Sequence, residues 1–226
     1  MNRRKSLNAA EGAGFAKMSS QITAFAVIGS GVLLAALHIL KSDFNPLSRF
    51  ISEYTIGDYG WVMQLTFIFM GIASLSVATA LWNRSSGFWA KLGLVMHIIV
   101  AVSMFGAASF TSDPASTPPA LMTFHGKVHI AFAMLGIPSG ALAGIVLTYA
   151  MTTGGSHDRR LLLGPAWALA LTALSMIIHI NVIAAKNRVV GPDDFAGLFN
   201  RFVVAASFWW WLAASHFAKE QIALKS

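Results

Sequence analysis

Six stretches of almost unbroken apolar sequence divide the chain: 21–40, 61–82, 89–110, 128–151, 161–185 and 198–217. Each matches the ~20 residues a helix needs to cross ~30 Å of hydrocarbon. None contains an acidic residue, and their only lysine or arginine residues are Lys91 and Arg201, both near a segment end. Strand-like alternation is absent, and backbone groups in lipid must pair within their own segment, so the runs predict helices. The fold class that follows is all-α, an integral membrane bundle of six transmembrane helices. Residues 1–20, rich in Ala, Gly and Ser, read as a mobile tail, 21–218 as the membrane domain and 219–226 as a second tail. The first run is not expected to be a cleavable signal. It is too long after Arg3, Arg4 and Lys5, and Lys41, Ser42 and Asp43 follow it.

Composition turns this pattern into exclusions. The chain is 56% hydrophobic and 11% charged, with a mean hydropathy of +0.64, against roughly 25% charged in an ordinary soluble domain. A water-soluble monomer of 226 residues has too much surface to hide that apolar content, and disorder is excluded by the same content. The lack of cysteine removes disulfide and thiolate chemistry. A net charge of +7 raises nucleic acid as a partner, but position disposes of it. With the N-terminus inside, ten of the sixteen Lys and Arg residues and three of the nine acids lie on the inner side. The net charge then belongs to that side, and the positive-inside rule places both termini in the cytoplasm of a multi-pass cell-membrane protein. Membrane lipids are the expected partners, and nucleic acid is not.

The inner connections, 83–88 and 152–160, are short, whereas 41–60, 111–127 and 186–197 are longer. Long ordered loops tend to carry function, which directs attention to the extracytoplasmic face. Four histidines fall there: His38, His125, His129 and His179, with Ser52, Glu53, Asp58 and Asp113 in the loops between them. Ionisable groups in spans are costly and face a bundle interior or a wet cavity. His125 and His129 stand four apart on one helix face, and Gly136, Gly140 and Gly144 fall near that face. Gly-xxx-Gly spacing admits a close neighbouring helix, from this chain, a second copy or a partner. Helix 5 carries a weaker stripe of Ala168, Thr172, Ser175 and His179, and helix 1 aligns Ala24, Gly31 and His38.

Three chemistries fit these residues. His125 and His129, completed by Asp113 and His38 or His179, form a donor set that would suit zinc and leave a place for water. Alternatively, His129 and Asp113 make a base and its orienter, acting on water or Ser52. The third reading is structural, with the histidines bonding across helices to hold the bundle. Haem is disfavoured because axial ligands must meet at one depth, and His97 and His179 differ by roughly 13 Å. His97 reads as a satisfied interior residue, and His157 and His216 as solvated at the inner surface. In the first loop, Leu47, Phe50, Ile51 and Tyr54 recur at helical spacing and predict a short interfacial amphipathic segment covering the bundle.

The loops also carry a resemblance. Ser52-Glu53-Tyr54 followed by Gly57 and Trp61, then Phe110-Thr111-Ser112-Asp113-Pro114, His125-Gly126-Lys127-Val128-His129 and Gly197-Leu198-Phe199-Asn200-Arg201, resemble the bacterial domain-of-unknown-function 998 family. That family is similar in layout to Frag-like six-span proteins, some of them linked to lipid-anchor remodelling. The resemblance implies the six-span topology and marks Ser52, Glu53, Asp113, His129 and Arg201 as family-like polar positions. A looser chemical likeness, to the ceramidase and adiponectin-receptor superfamily, lies in Ser, Asp and an HxxxH helix. Here the HxxxH stands on helix 4 of six. Two functions follow as expectations. One is an outer-leaflet lipid hydrolase or acyl-transfer enzyme, with catalytic Ser52, Glu53, Asp113 and His129 and with Tyr54, Asp58 and Arg201 contacting lipid. The other is a non-catalytic lipid-binding, transport or partner-stabilising membrane protein.

Overall fold

A computed structural model describes residues 2–82, 85–152 and 157–223, and the side chains of 14–82, 85–152 and 160–220. Apolar runs without internal breakers become six helices: α1 (Asn2–Leu40), α2 (Gly60–Trp82), α3 (Phe88–Ser109), α4 (Phe124–Met151), α5 (His157–Ala185) and α6 (Ala196–Ala223). Two short 3-10 turns, Ile51–Thr55 and Pro119–Leu121, stand in the loops, and no strand occurs among the described residues. Five helices, α1 to α5, are long and apolar enough to cross a membrane. α6 is as long, but Asn200, Arg201, His216 and the polar edges of Trp209, Trp210 and Trp211 lower its apolarity. It nevertheless exposes Phe202, Trp209 and Leu212 on the outside of the same bundle.

Helices outrun the apolar sequence at several ends. α1 begins at Asn2, so residues 2–20, expected as a tail, are helical; α4 begins at Phe124, α5 at His157, and α6 continues to Ala223. Backbone hydrogen bonding does not stop where hydrocarbon stops, so the hydropathy signal ends before the helix does. The side chains of Arg3, Arg4, Lys5, Glu11, Arg84, His157, Asp158, Arg159 and Lys225, on which part of the inner-side charge count rests, lie outside the described residues.

Consecutive helices pack together, α6 closes on α1, and α2 meets α6 across the middle. α2 is the most buried span; α1 and α4 are the most peripheral. Small residues bring the helices close. At Gly106 of α3, a Cβ would stand 2.5 Å from the Phe132 ring of α4, so only glycine admits that contact. The α4 glycines are taken up within the chain: Gly136 meets Ser103, Gly140 meets Val100 and Gly144 meets Trp210. On α5 the packed face is Leu162, Ala166, Leu169, Ala173 and Met176. It is not the expected stripe, in which Ser175 is exposed. The reason is that apolar bulk, not small polar groups, fills the space beside α6.

Candidate functional site

The long loops gather at one end of the bundle, where the chain from Lys41 to Tyr59 folds inward. Its apolar residues do not form a surface helix. Ile51–Thr55 is a single 3-10 turn with Ile51, Glu53, Tyr54 and Thr55 buried, and it plugs the bundle end. Backbone groups placed there need partners, and the neighbouring elements supply them. Ile51 N–H donates to Asn200 Oδ1 (3.0 Å), Thr55 Oγ1 donates to the Ser52 carbonyl (2.8 Å) and accepts from Ser112 N–H (3.1 Å). The Glu53 carboxylate, 1% exposed, accepts Arg49 Nη1 (2.6 Å) and Phe50 N–H (2.9 Å).

Arg201 ties this plug to two helices. Its Nε donates to His38 Nε2 (3.0 Å), Nη1 to the carbonyls of Arg49 (2.8 Å) and Gly197 (3.0 Å), and Nη2 to the Tyr54 hydroxyl (3.1 Å). His38 donates Nδ1–H to the Leu34 carbonyl (2.7 Å), which fixes the tautomer that leaves Nε2 to accept. Tyr54 is fully buried and stacks on Phe44 at 5.7 Å. Burial pushes its phenol above the ordinary value, and Arg201 offsets part of that rise. Lys41 lies over the Phe44 ring and gives its ammonium to the carbonyls of Ile56 and Asp58. Arg49 lies over the same ring at 4.9 Å.

The expected catalytic and metal groups do not converge. Asp113 accepts Thr123 N–H (2.7 Å) and Thr123 Oγ–H (2.9 Å), and Thr123 in turn caps α4 by accepting Gly126 N–H (3.0 Å). A Cβ on Gly126 would strike the Asp113 carboxylate at 2.1 Å, so the glycine makes room for this cap. His129 is buried and donates Nδ1–H to the Phe110 carbonyl (2.7 Å). His125, one turn earlier, is exposed beside Phe110 and Phe124. The two share a helix face as spacing requires, but α3 ends at Ser109 and leaves only the upper one outside. His179 stacks on Phe199 at 4.6 Å and donates Nε2–H to the Asp194 carbonyl. Among the described residues, no three His, Cys, Asp or Glu side chains come together as a metal-ligand group. Asp58 is exposed and gives its carbonyl to Lys41, Tyr54 is buried and Arg201 is half-buried. At the other end His216 is exposed, as read, and meets Glu220 at 2.9 Å. His97 bonds Ser74 through Nδ1 (3.0 Å) but leaves Nε2 without a partner, so it is only half satisfied.

Besides Arg201, His38 and Tyr54, which bond one another, two of the expected catalytic residues share a cavity. Ser52 and His129 line a cleft of about 90 Å³ beneath the plug, with Asn200 beside them. The rest of its wall is apolar, including Phe67, Met104, Ile137 and Trp211, and the deepest polar group, Ser207, spends its hydroxyl on the Val203 carbonyl. Ala133, Ile137 and Gly140 on α4 remain half-exposed while Phe67, Met70 and Val203 on the far wall are buried, so the cleft opens along α4. Among the described residues the Ser52 hydroxyl has no hydrogen-bond partner. Sequence reasoning passed over Asn200, Arg49, Lys41 and Thr123. Arg49 and Glu53 carried a signal in their i,i+4 spacing, and Thr123 in its place before an apolar helix. Asn200 stood only within the 197–201 family-like motif and Lys41 carried no signal, because their partners lie far along the chain.

A bundle of long apolar helices, plugged by a polar loop and carrying an apolar cleft, defines a multi-pass membrane protein. Within that class, the chain belongs to the DUF998 family of proteins of unknown function, whose family model matches residues 22–216. The match spans all six helices, so the loop residues and the bundle belong to one family unit. No curated protein and no solved structure matches the chain.

Proposed function

We propose that the protein binds a membrane lipid, with an acyl chain in the α4 cleft and the lipid's polar linkage against Ser52, His129 and Asn200. The observation that carries this reading is the polarity of the cleft, which is apolar along its length and has Ser52, His129 and Asn200 at the plugged end. There His129 and Asn200 are already bonded and, among the described residues, the Ser52 hydroxyl is not. Apolar pockets with a few convergent polar groups are the usual form of a small-molecule site. In a bilayer, an opening along a peripheral helix is reached from the lipid phase. The engaged state of Asp113, Glu53, His38 and His179 favours binding over catalysis, because each already has a structural partner.

The test is lipid retention. Gly140→Leu places a branched side chain in the cleft, where a first carbon meets only Val100 at 3.5 Å. Native mass spectrometry of protein purified in an uncharged detergent should show bound lipid on the wild type, and most of it lost in the variant. Equal retention by both proteins would sink the proposal.

A second reading rests on Ser52 and His129 lining the same cleft. His129 Nε2 would take the Ser52 proton as the hydroxyl attacks a lipid ester and return it to the departing alcohol. Water would then cleave the acyl-serine to free fatty acid. Release of fatty acid that disappears in Ser52→Ala would establish turnover. A wild type that binds lipid and releases none leaves binding as the function.

A further inference from the structure

Above the plug lies a second pocket, of about 260 Å³, walled by all three long loops: Ser48, Arg49 and Glu53 from the first, Ser116 from the second and Gly191 from the third. The 3-10 turn stands between the two spaces. Glu53 faces this pocket while its neighbour Ser52 lines the cleft below.

The charge around the pocket is unbalanced in a specific way. Glu53 is 1% exposed and both of its oxygens are taken, by Arg49 and by Phe50 N–H. Arg49 lines the pocket, keeps 39% of its side chain exposed, spends one N–H on Glu53 and lies with its guanidinium over the Phe44 ring. Arg201 also interacts electrostatically with Glu53 from inside the bundle. One carboxylate therefore lies between two guanidiniums, Arg49 at the pocket and Arg201 inside the bundle. Asp194 bonds Arg188 and Gly191 N–H and is neutralised in place. In the remaining wall Ser116 offers a hydroxyl, Ser48 holds its own only loosely on the Asn45 carbonyl (3.5 Å), and Ala115, Val190 and Pro192 are apolar. Hydroxyls beside an arginine fork are the donors of an oxyanion site.

We propose that this pocket binds a phosphate group through Arg49, with Ser48 and Ser116 at its sides. The volume admits a glycerol phosphate, which is more than a bare phosphate needs. The proposal deepens the lipid reading and rests on it for one source of the phosphate, a phospholipid headgroup held over the plug while an acyl chain lies beneath. A free phosphorylated molecule is the other source.

The full chain in uncharged detergent is titrated with inorganic phosphate, with glycerol 3-phosphate and with phosphatidylglycerol micelles, following thermal stability and bound ligand. Ser116→Asp places a like charge at the exposed rim without touching the Arg49–Glu53 pair. It should weaken phosphate binding roughly tenfold or more. Arg49→Lys keeps the counter-ion of Glu53 but not the fork. It should bind phosphate more weakly while melting near the wild type, which separates lost recognition from lost folding. Gly140→Leu should leave inorganic phosphate binding as it is. If Ser116→Asp and Gly140→Leu both reduce phosphatidylglycerol retention, the ligand is a phospholipid headgroup. If Ser116→Asp weakens phosphate and glycerol 3-phosphate but not phosphatidylglycerol, the pocket serves a free phosphorylated molecule. Wild-type protein that binds none of the three, or binding that Ser116→Asp leaves unchanged, overturns the proposal. Lipid loss in Gly140→Leu alone would then leave the cleft reading standing.

Discussion

Arg201 shows how much a single residue can decide here. Its four hydrogen bonds join α6 to His38 on α1, to Tyr54 in the plug and to the carbonyls of Arg49 and Gly197. A planar fork serves divergent acceptors at fixed angles, whereas an ammonium group is a single point on a flexible stem. Arg201→Ala should therefore lower stability by roughly 2–4 kcal/mol, since buried acceptors lose a charged donor. Arg201→Lys should recover only part of that loss. Thermal melting of the two variants in one detergent checks both statements, and a lysine variant as stable as the wild type would show that charge alone suffices. In the sequence, Arg201 reads as a lone charge near a span end and a family-like position. Its four partners lie up to 163 residues away, and no local pattern encodes such contacts. Asp113 teaches the same lesson from the other side: an acid beside two histidines in the sequence is a helix-cap partner in space.

At the scale of elements, apolar content specified the spans because a bilayer imposes one length and one chemistry on every helix that crosses it. How close the helices come was not legible in the same way. Gly136, Gly140 and Gly144 promised a near neighbour, and the neighbours are α3 and α6 of the same chain. Gly106, in a span with no glycine stripe, leaves no room for a Cβ, which would stand 2.5 Å from Phe132 of α4. Gly106→Val should force the Phe132 ring aside and cost about 1–3 kcal/mol, read as a lower melting temperature, with Gly106→Ala milder. Unchanged melting in Gly106→Val would mean that α4 shifts freely on α3. The plug is the element the pattern misjudged. Leu47, Phe50, Ile51 and Tyr54 do carry an apolar periodicity, but five residues suffice for one 3-10 turn. Burial at the bundle end takes up Ile51 and Tyr54, while Phe50 is half-buried and Leu47 stays exposed.

For the whole molecule, the open question of direction has a clean test, because the chain contains no cysteine. From the charge bias we propose that the long loops lie outside. Ser116→Cys in the second long loop should react with a membrane-impermeant maleimide on intact cells, and Ser86→Cys in a short connection should react only after the membrane is opened. Both side chains are exposed in the fold. Labelling of Ser86→Cys in intact cells would reverse the orientation, and with it the leaflet that the cleft and the phosphate pocket address.

The sequence by itself determined that this is a helical membrane protein, how many long helices it has and which loops are long. Those properties are sums over segments, and a segment's hydropathy survives without knowledge of its neighbours. Only the tertiary structure decided what the polar residues do. Whether an imidazole binds metal, moves a proton or holds a carbonyl depends on which atom lies within 3 Å of it. That is set by loops and helix packing that join distant parts of the chain. His38, Asp113, His125, His129 and His179 look like one cluster in the sequence, yet among the described residues no three of them come together, and what Ser52 and His129 share is the wall of one cleft, built by helices distant along the chain.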